Sequence, residues 1–155
     1  KVSVYCMDIF HYTNEELAQY LSENEFDLIG IGFMVPRFNR TIVGLCKIVN
    51  ENKKNAWLVL GGNGPTPIAE YCIYKTDADV VVLGEAEETI VELLECKLYA
   101  PEKVSALQAI AYKSGKNVIQ NPSQMVPEST PKTVRKHRQQ IHPKSSKNHQ
   151  QGLPK

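Results

Sequence analysis

This sequence has few of the features that assign a chain to a functional class at sight. It contains no apolar run of about 18 residues, so it predicts no transmembrane helix. No apolar signal-peptide core follows a basic start. The four cysteines are widely spaced, without a Cys-x-x-Cys pair, which argues against zinc, iron–sulfur and thioredoxin-type sites. We therefore expect a cytoplasmic protein without a membrane partner, whose cysteines are buried as reduced thiols.

Aromatic and acidic residues are scarce in the last part of the chain. Residues 122–155 contain no Phe, Tyr or Trp, and they carry seven Lys or Arg against one acid, Glu128. Residues 1–121 have the opposite balance, with 11 basic and 16 acidic residues. The tail cannot bury enough apolar surface to offset its chain entropy, so we predict that it is disordered. A nucleic-acid-binding arm is the alternative, which the lack of aromatic residues disfavours.

The body, residues 1–121, repeats a pattern of short apolar segments followed by amphipathic ones. Continuous apolar strands that alternate with helices are typical of a parallel α/β sheet with helices on both faces. Thr13 and Glu16 have the spacing of a capping box. The pattern predicts strands at 2–5, 28–33, 57–60 and 80–83, helices after Thr13, at 39–52 and at 89–98, a short helix after residue 67, and a hairpin over 109–119.

Glycine is concentrated near the ends of the predicted strands. Gly30 and Gly32 leave one face of their strand without side chains, which predicts a close neighbour at the backbone. In the loop 61–67, adjacent glycines would let a bulky planar ligand approach the main chain. Pro65 and Pro67 remove amide donors that a phosphate cradle would use, and the third glycine of a dinucleotide fingerprint is missing, so a nicotinamide site is disfavoured. A tight loop without a ligand is the alternative.

An acidic turn, residues 84–88, follows the last of the long apolar strands. Carboxylates at the start of a helix are explained by the helix dipole, but that explanation does not account for the glycine before them. The turn and the loop 61–67 both follow the carboxyl ends of predicted parallel strands. Open α/β sheets bind ligands at these ends, and we expect the chemistry of the chain there.

Together these segments resemble the N-terminal cobalamin-binding domain of cobalamin-dependent radical SAM enzymes. That family has a glycine pair followed by a Pro/His/Thr-rich loop, to which the segment 61–67 corresponds here. Its Gly-Glu-Gly-Glu turn after an apolar strand is Gly84-Glu85-Ala86-Glu87 in this chain. Residues 27–34 are similar to the family's preceding strand, and residues 109–115 to its final hairpin. The resemblance covers about residues 2–121.

The resemblance implies a flavodoxin-like (Rossmann-like) fold and a module that holds cobalamin across the strand ends for an enzyme of methyltransferase type. It places the four-iron cluster and S-adenosylmethionine in a radical SAM core, whose Cys-x-x-x-Cys-x-x-Cys motif does not occur here. We therefore expect no catalytic residue and no metal ligand in this chain, which would not be a complete enzyme alone. The implied cofactor-binding residues are Phe33, Met34, Val35, Gly61, Gly62, Asn63, Gly64, Pro65, Thr66, Gly84, Glu85 and Glu87.

His11 is the single histidine of the body. The segment 8–11 resembles the Asp-x-His-x-x-Gly motif of cobalamin-binding folds, in which the histidine ligates cobalt. One residue too many separates Asp8 from His11, and Asn14 stands where the motif has glycine. We therefore predict an ordinary loop histidine.

The family domain normally begins with one more strand and helix than this sequence provides, so we expect an incomplete sheet. In the family's strand order, 2-1-3-4-5, the missing strand would lie between two of the predicted strands. Two alternatives stay open: a non-functional gene fragment, and a flavodoxin- or receiver-like binding module. A receiver would place a phospho-accepting aspartate at a strand end, where Gly61 and Gly84 follow Leu60 and Leu83 here.

Overall fold

The computed structural model describes residues 1–34 and 41–121 of the protein. These residues belong to the first of two units, residues 1–124. Three predictions lie wholly or partly outside the described residues: the disordered basic tail from residue 122, Val35 as a site residue, and the start of the predicted helix 39–52.

Five strands form one sheet in the order in which they follow along the chain. The first three pair in parallel, and the last two form the predicted hairpin, whose first strand is antiparallel to the third strand. The predicted α/β fold is therefore confirmed, as a mixed sheet with a parallel core. The strands are Leu28–Gly32 (β1), Trp57–Gly61 (β2), Val80–Val82 (β3), Ile110–Ser114 (β4) and Asn117–Asn121 (β5).

The helices agree with the apolar periodicity of the sequence. Thr13 and Glu16 make the predicted capping box: the backbone N–H of Glu16 donates to Thr13 Oγ1 at 3.2 Å, and that of Thr13 donates to Glu16 Oε2 at 2.7 Å. Such a box satisfies two of the amide groups that a helix start leaves without partners. The helices are Met7–Phe10 (α1), which was not predicted, Asn14–Glu23 (α2), Val43–Asn52 (α3), Ala69–Thr76 (α4) and Thr89–Tyr99 (α5), with 3-10 turns at Thr66–Ile68 and Pro101–Ala106.

The sheet has an apolar core on each face. Leu58 and Leu60 of β2 belong to one buried cluster, together with side chains of α2, α3 and α4. Val59, between them, points to the opposite face and belongs to a second cluster with Leu93 of α5. Successive residues of a strand face opposite sides of the sheet, so the two clusters confirm that helices cover both faces.

The predicted first strand, residues 2–5, is not present. Val2 and Val4 are 90% and 81% exposed, and no strand is formed before β1. Within the described residues β1 pairs with β2 alone, and a cavity of about 170 Å³ is lined both by β1 and by Ser3 and Tyr5. An extended segment is stabilised as a strand by its hydrogen-bonded neighbour, which is why the apolar pattern of residues 2–5 is not sufficient.

The prediction of a close neighbour at Gly30 is also wrong for the described residues. A Cβ built on Gly30 would have no heavy atom within 4 Å, and both Gly30 and Gly32 are exposed. Leu28 packs into the second apolar cluster on this face, whereas the described chain leaves the rest of the β1 face open. The bare glycine face therefore does not serve packing within this part of the molecule.

Asp79 joins β2 and β3 at their amino ends. Its Oδ2 accepts hydrogen bonds from the backbone N–H of Leu58 at 2.8 Å and from Lys53 Nζ at 2.5 Å. Its own backbone N–H donates to the carbonyl oxygen of Leu58 at 3.0 Å. The carboxylate sets the position of one strand against the other and lies at the end of the sheet opposite to the glycine-rich loops.

Candidate functional site

The carboxyl ends of the three parallel strands lie at one edge of the sheet. Gly32, the last residue of β1, pairs in register with Gly61, the last residue of β2. The loops that follow contain the predicted site residues Phe33, Met34 and 62–66, and the turn after β3 contains residues 84–87. The topology therefore brings the described part of the predicted site to one edge, where open α/β sheets bind ligands.

Phe33 connects the first two loops through its backbone and its ring. Its N–H donates to the carbonyl oxygen of Gly61 at 3.3 Å, and its carbonyl oxygen accepts from the N–H of Gly64 at 3.0 Å. A Cβ built on Gly64 would overlap the Phe33 carbonyl oxygen and would lie 2.7 Å from Cδ2 of the ring. Gly64 is buried, and its missing side chain is explained by packing against Phe33.

Gly61 differs from Gly64 in what surrounds it. Among residues 1–34 and 41–121, a Cβ on Gly61 would have no heavy atom within 4 Å, and one on Gly32 would meet only the Gly61 carbonyl oxygen, at 3.9 Å. The end of the β1–β2 pair is thus a stretch of bare main chain that the described residues leave uncovered. A broad planar molecule could approach this backbone closely, which side chains would prevent.

Gly62 and Gly84 have backbone conformations that favour glycine. Their φ angles are +95° and +76°, in the region that other residues rarely adopt. Both residues are exposed, as is Asn63 beside the first of them. The two loops therefore turn at the strand ends through exposed residues that have no side chain at these two positions.

Thr66 links these two loops through one hydroxyl group. Thr66 Oγ1 donates to the carbonyl oxygen of Gly62 at 3.0 Å and accepts from the backbone N–H of Gly84 at 3.1 Å. The residue is half-buried at the start of the 3-10 turn. Its hydroxyl is the direct side-chain connection between the loop after β2 and the turn after β3.

The acidic turn, residues 84–88, leads directly into α5. Glu88 is the N-cap residue, and its side chain makes no capping hydrogen bond. Glu85 and Glu87 are exposed, whereas Ala86 between them packs against the second apolar cluster. The turn is anchored by its alanine, and its carboxylates extend into the surroundings beside Gly84.

The predicted site residues differ in accessibility. Phe33, Gly64 and Pro65 are buried, Gly61 and Thr66 are partly buried, and the others among the described residues are exposed. Contact of each residue with a cofactor stays a prediction. Sequence reasoning did not include Gly32 in the site, although the alternation of Gly30 and Gly32 in an apolar strand marked a bare face.

The four cysteines lie in or next to the helices α1, α3, α4 and α5 and are not among the predicted site residues. Cys46 and Cys72 are fully buried, Cys96 is buried and Cys6 is partly buried, and all four are free thiols. Burial raises the pKa of Cys46 to about 12 and that of Cys72 to about 11. The predicted burial of cysteines is thus confirmed for three of them. Over residues 1–34 and 41–121, no three His, Cys, Asp or Glu side chains come together to hold a metal ion.

The fold and the site define an α/β domain with a platform of bare main chain at the carboxyl ends of its parallel strands. The chain belongs to the family of B12 binding domains, which matches residues 2–94. Cobalamin is therefore the cofactor of the family to which it belongs. In the part of the chain that the structure describes, no helix is long and apolar enough to cross a membrane.

Solved structures with the same fold include a radical S-adenosylmethionine methyltransferase. TsrM from Kitasatospora setae, with cobalamin and a [4Fe-4S] cluster bound, matches with a TM-score of 0.58 and 18% identity, over 72% of this chain and 21% of that chain. TsrM with tryptophan substrate and a SAM analogue bound matches with a TM-score of 0.57 and 18% identity, over 70% and 21%. This chain spans about a fifth of the length of those chains. No curated protein matches it.

Proposed function

We propose that this chain is the cobalamin-binding module of a radical SAM enzyme of methyltransferase type, and that it holds the corrin over the carboxyl ends of β1, β2 and β3. The observation that carries the proposal is the bare main chain at Gly32 and Gly61 in a member of the B12 binding domain family. The four-iron cluster and S-adenosylmethionine would be bound by other parts of the enzyme.

The residues present fit such a cofactor. The described residues leave space at the Cβ position of Gly61, and the exposed glycines Gly62 and Gly84 add no side chains that would obstruct a ligand there. Met34 is 68% exposed at the neighbouring strand end and provides an apolar, adaptable side chain. Bare backbone and an apolar side chain suit a large macrocycle with amide substituents, which needs both close contact and hydrogen-bonding groups.

The described residues indicate which part of the reaction this chain would support. When bound, cobalamin supplies the methyl carrier of the reaction. The chain's own residues would bind and orient it, through the main chain at Gly61 and Gly62 and through the turn at Gly84. Substrate recognition and radical generation are assigned to the rest of the enzyme.

Gly61→Val tests the platform directly. Position 61 is in a strand, has no positive φ and has no described atom within 4 Å of its Cβ position, so valine should leave the unliganded fold stable. The new side chain would occupy the approach to the backbone. We expect wild-type protein to gain about 2.7 kcal/mol of stability with hydroxocobalamin at 100 times its Kd, measured by chemical denaturation, and the variant to lose this gain.

Gly44→Ala is the matched control, because a Cβ at position 44 also meets open space but lies on α3. It should keep the full stabilisation by hydroxocobalamin. Gly62→Val is a weaker test, since a β-branched residue at a φ of +95° strains the loop even without ligand. If folded wild-type protein showed no stabilisation, or if Gly61→Val were stabilised as much as wild type, the proposal would be wrong.

A further inference from the structure

One side chain connects two loops that are far apart in sequence. Thr66 and Gly84 are separated by 18 positions, and the hydrogen bond between them joins the loop after β2 to the turn after β3. The same hydroxyl also donates to Gly62, four residues earlier. A hydroxyl group can donate one hydrogen bond and accept others at the same time, so Thr66 serves a carbonyl group on one side and an amide on the other.

The two residues held by this hydroxyl are the glycines with positive φ at the site. Gly62 and Gly84 have no side chain, so their backbone angles are less restricted than those of other residues. A glycine loses more conformational freedom than any other residue when it is fixed in one conformation. A single group that bonds to both of them reduces the freedom of both loops before any ligand arrives.

We propose that Thr66 is a positioning residue, which sets the spacing between the Gly62 loop and the Gly84 turn and so shapes the cofactor platform in advance. This inference rests on the proposed function for the nature of the ligand. It assigns Thr66 a role through the two loops, in place of the direct contact with cofactor that the sequence resemblance implies. Preorganised sites bind more tightly because the cost of ordering them is met before binding.

The test compares Thr66→Val, which replaces the hydroxyl by a methyl group of similar size, with Thr66→Ser, which keeps the hydroxyl. The first readout is hydrogen exchange at the Gly84 amide in the 155-residue chain without ligand. The second is the Kd for hydroxocobalamin. Loss of two hydrogen bonds should weaken binding about tenfold in Thr66→Val and accelerate exchange at Gly84 by a similar factor, whereas Thr66→Ser should stay close to wild type in both.

Thr76→Val is a matched control within the same fold. Thr76 Oγ1 donates to the carbonyl oxygen of Cys72 at 2.7 Å, four residues earlier, and accepts from the backbone N–H of Ala78 at 3.3 Å. Its hydrogen bonds repeat the pattern of Thr66, but they lie at the opposite end of α4 from the site. This variant should lose stability while its Kd and its exchange at Gly84 remain unchanged.

The outcomes separate this inference from the proposed function. Wild-type protein that does not bind hydroxocobalamin would contradict the proposed function, and exchange at Gly84 would still decide whether Thr66 fixes the turn. The inference is overturned if Thr66→Val has wild-type exchange at Gly84, or if Thr66→Ser binds as weakly as Thr66→Val. Circular dichroism verifies folding of each variant, and Thr66→Ala replaces Thr66→Val if that variant does not fold.

Discussion

Gly61, the last residue of β2, and Gly64, in the loop that follows, are present for different physical reasons. Gly64 has no side chain because the Phe33 carbonyl and ring fill the space where a Cβ would be, whereas no described residue fills that space at Gly61. Gly64 is therefore explained by packing within the fold, whereas Gly61 is a candidate residue of the binding surface. A sequence motif that contains both glycines does not distinguish these roles, but the contacts of each Cβ position do.

Gly64→Ala should destabilise the protein in the absence of any ligand. The added methyl group would push the Phe33 ring and the backbone of its loop out of position, and overpacking of this kind costs about 1–3 kcal/mol. Gly44→Ala provides the comparison: its Cβ meets nothing within 4 Å in the helix α3, so it should increase stability by up to about 1 kcal/mol. Urea denaturation at neutral pH measures both, and equal effects would contradict the packing explanation.

At the scale of elements, the pairing of β2 with β3 depends on Asp79. Only two residue pairs are in register between these strands, Val59 with Val80 and Leu60 with Val81. The carboxylate of Asp79 extends this short contact through Leu58 and Lys53. A charged acceptor that is partly buried and bonded to a backbone amide makes a stronger hydrogen bond than a neutral one.

Asp79→Asn should lower the free energy of unfolding by about 2 kcal/mol, because it loses the charge-assisted bonds to Lys53 and to the Leu58 amide. Asp77→Asn is the matched control. Asp77 pairs with Lys113 in a more exposed setting, and asparagine tolerates its φ of +55°, so its effect should be close to zero. Thermal and urea denaturation compare the two, and a larger loss in Asp77→Asn would refute this assignment.

The sequence predicts best those elements whose causes are local. The capping box at Thr13 and the apolar strands of 57–60 and 80–83 depend on neighbouring residues and on burial, and the structure confirms them. Residues 2–5 have a similar pattern but form no strand, since a strand also depends on a partner that local sequence does not specify. The link from Thr66 to Gly84 could not be predicted for the same reason, because it joins residues brought together by two strands.

At the scale of the whole molecule, buried thiols make stability depend on alkaline pH. Burial raises the pKa of Cys46 from its ordinary value of 9.0 to about 12. In the unfolded chain the thiol ionises as the pH rises above about 9, while in the folded protein it stays neutral until about 12. The unfolded state therefore loses its proton first and is favoured increasingly over this interval, so the stabilisation present below pH 9 is lost as the pH approaches 12.

Cys46→Val should reduce this dependence. From pH 8 to pH 10.5 the free energy of unfolding of the wild-type protein should fall by about 2 kcal/mol more than that of the variant, measured by urea denaturation with a reducing agent present. At pH 7 the two proteins should differ only by the change in packing. Parallel pH dependences for the two proteins would show that Cys46 is not the group responsible.

The contrast between Gly61 and Gly64 also has an evolutionary consequence. Selection for a stable core acts on Gly64 in every descendant that still folds, since its Cβ position is occupied by Phe33. Selection at Gly61 depends on whether the platform is used. A lineage that abandoned its cofactor would retain glycine at 64 and accumulate side chains at 61, so substitutions at these two neighbouring positions would record separately the loss of folding and the loss of binding.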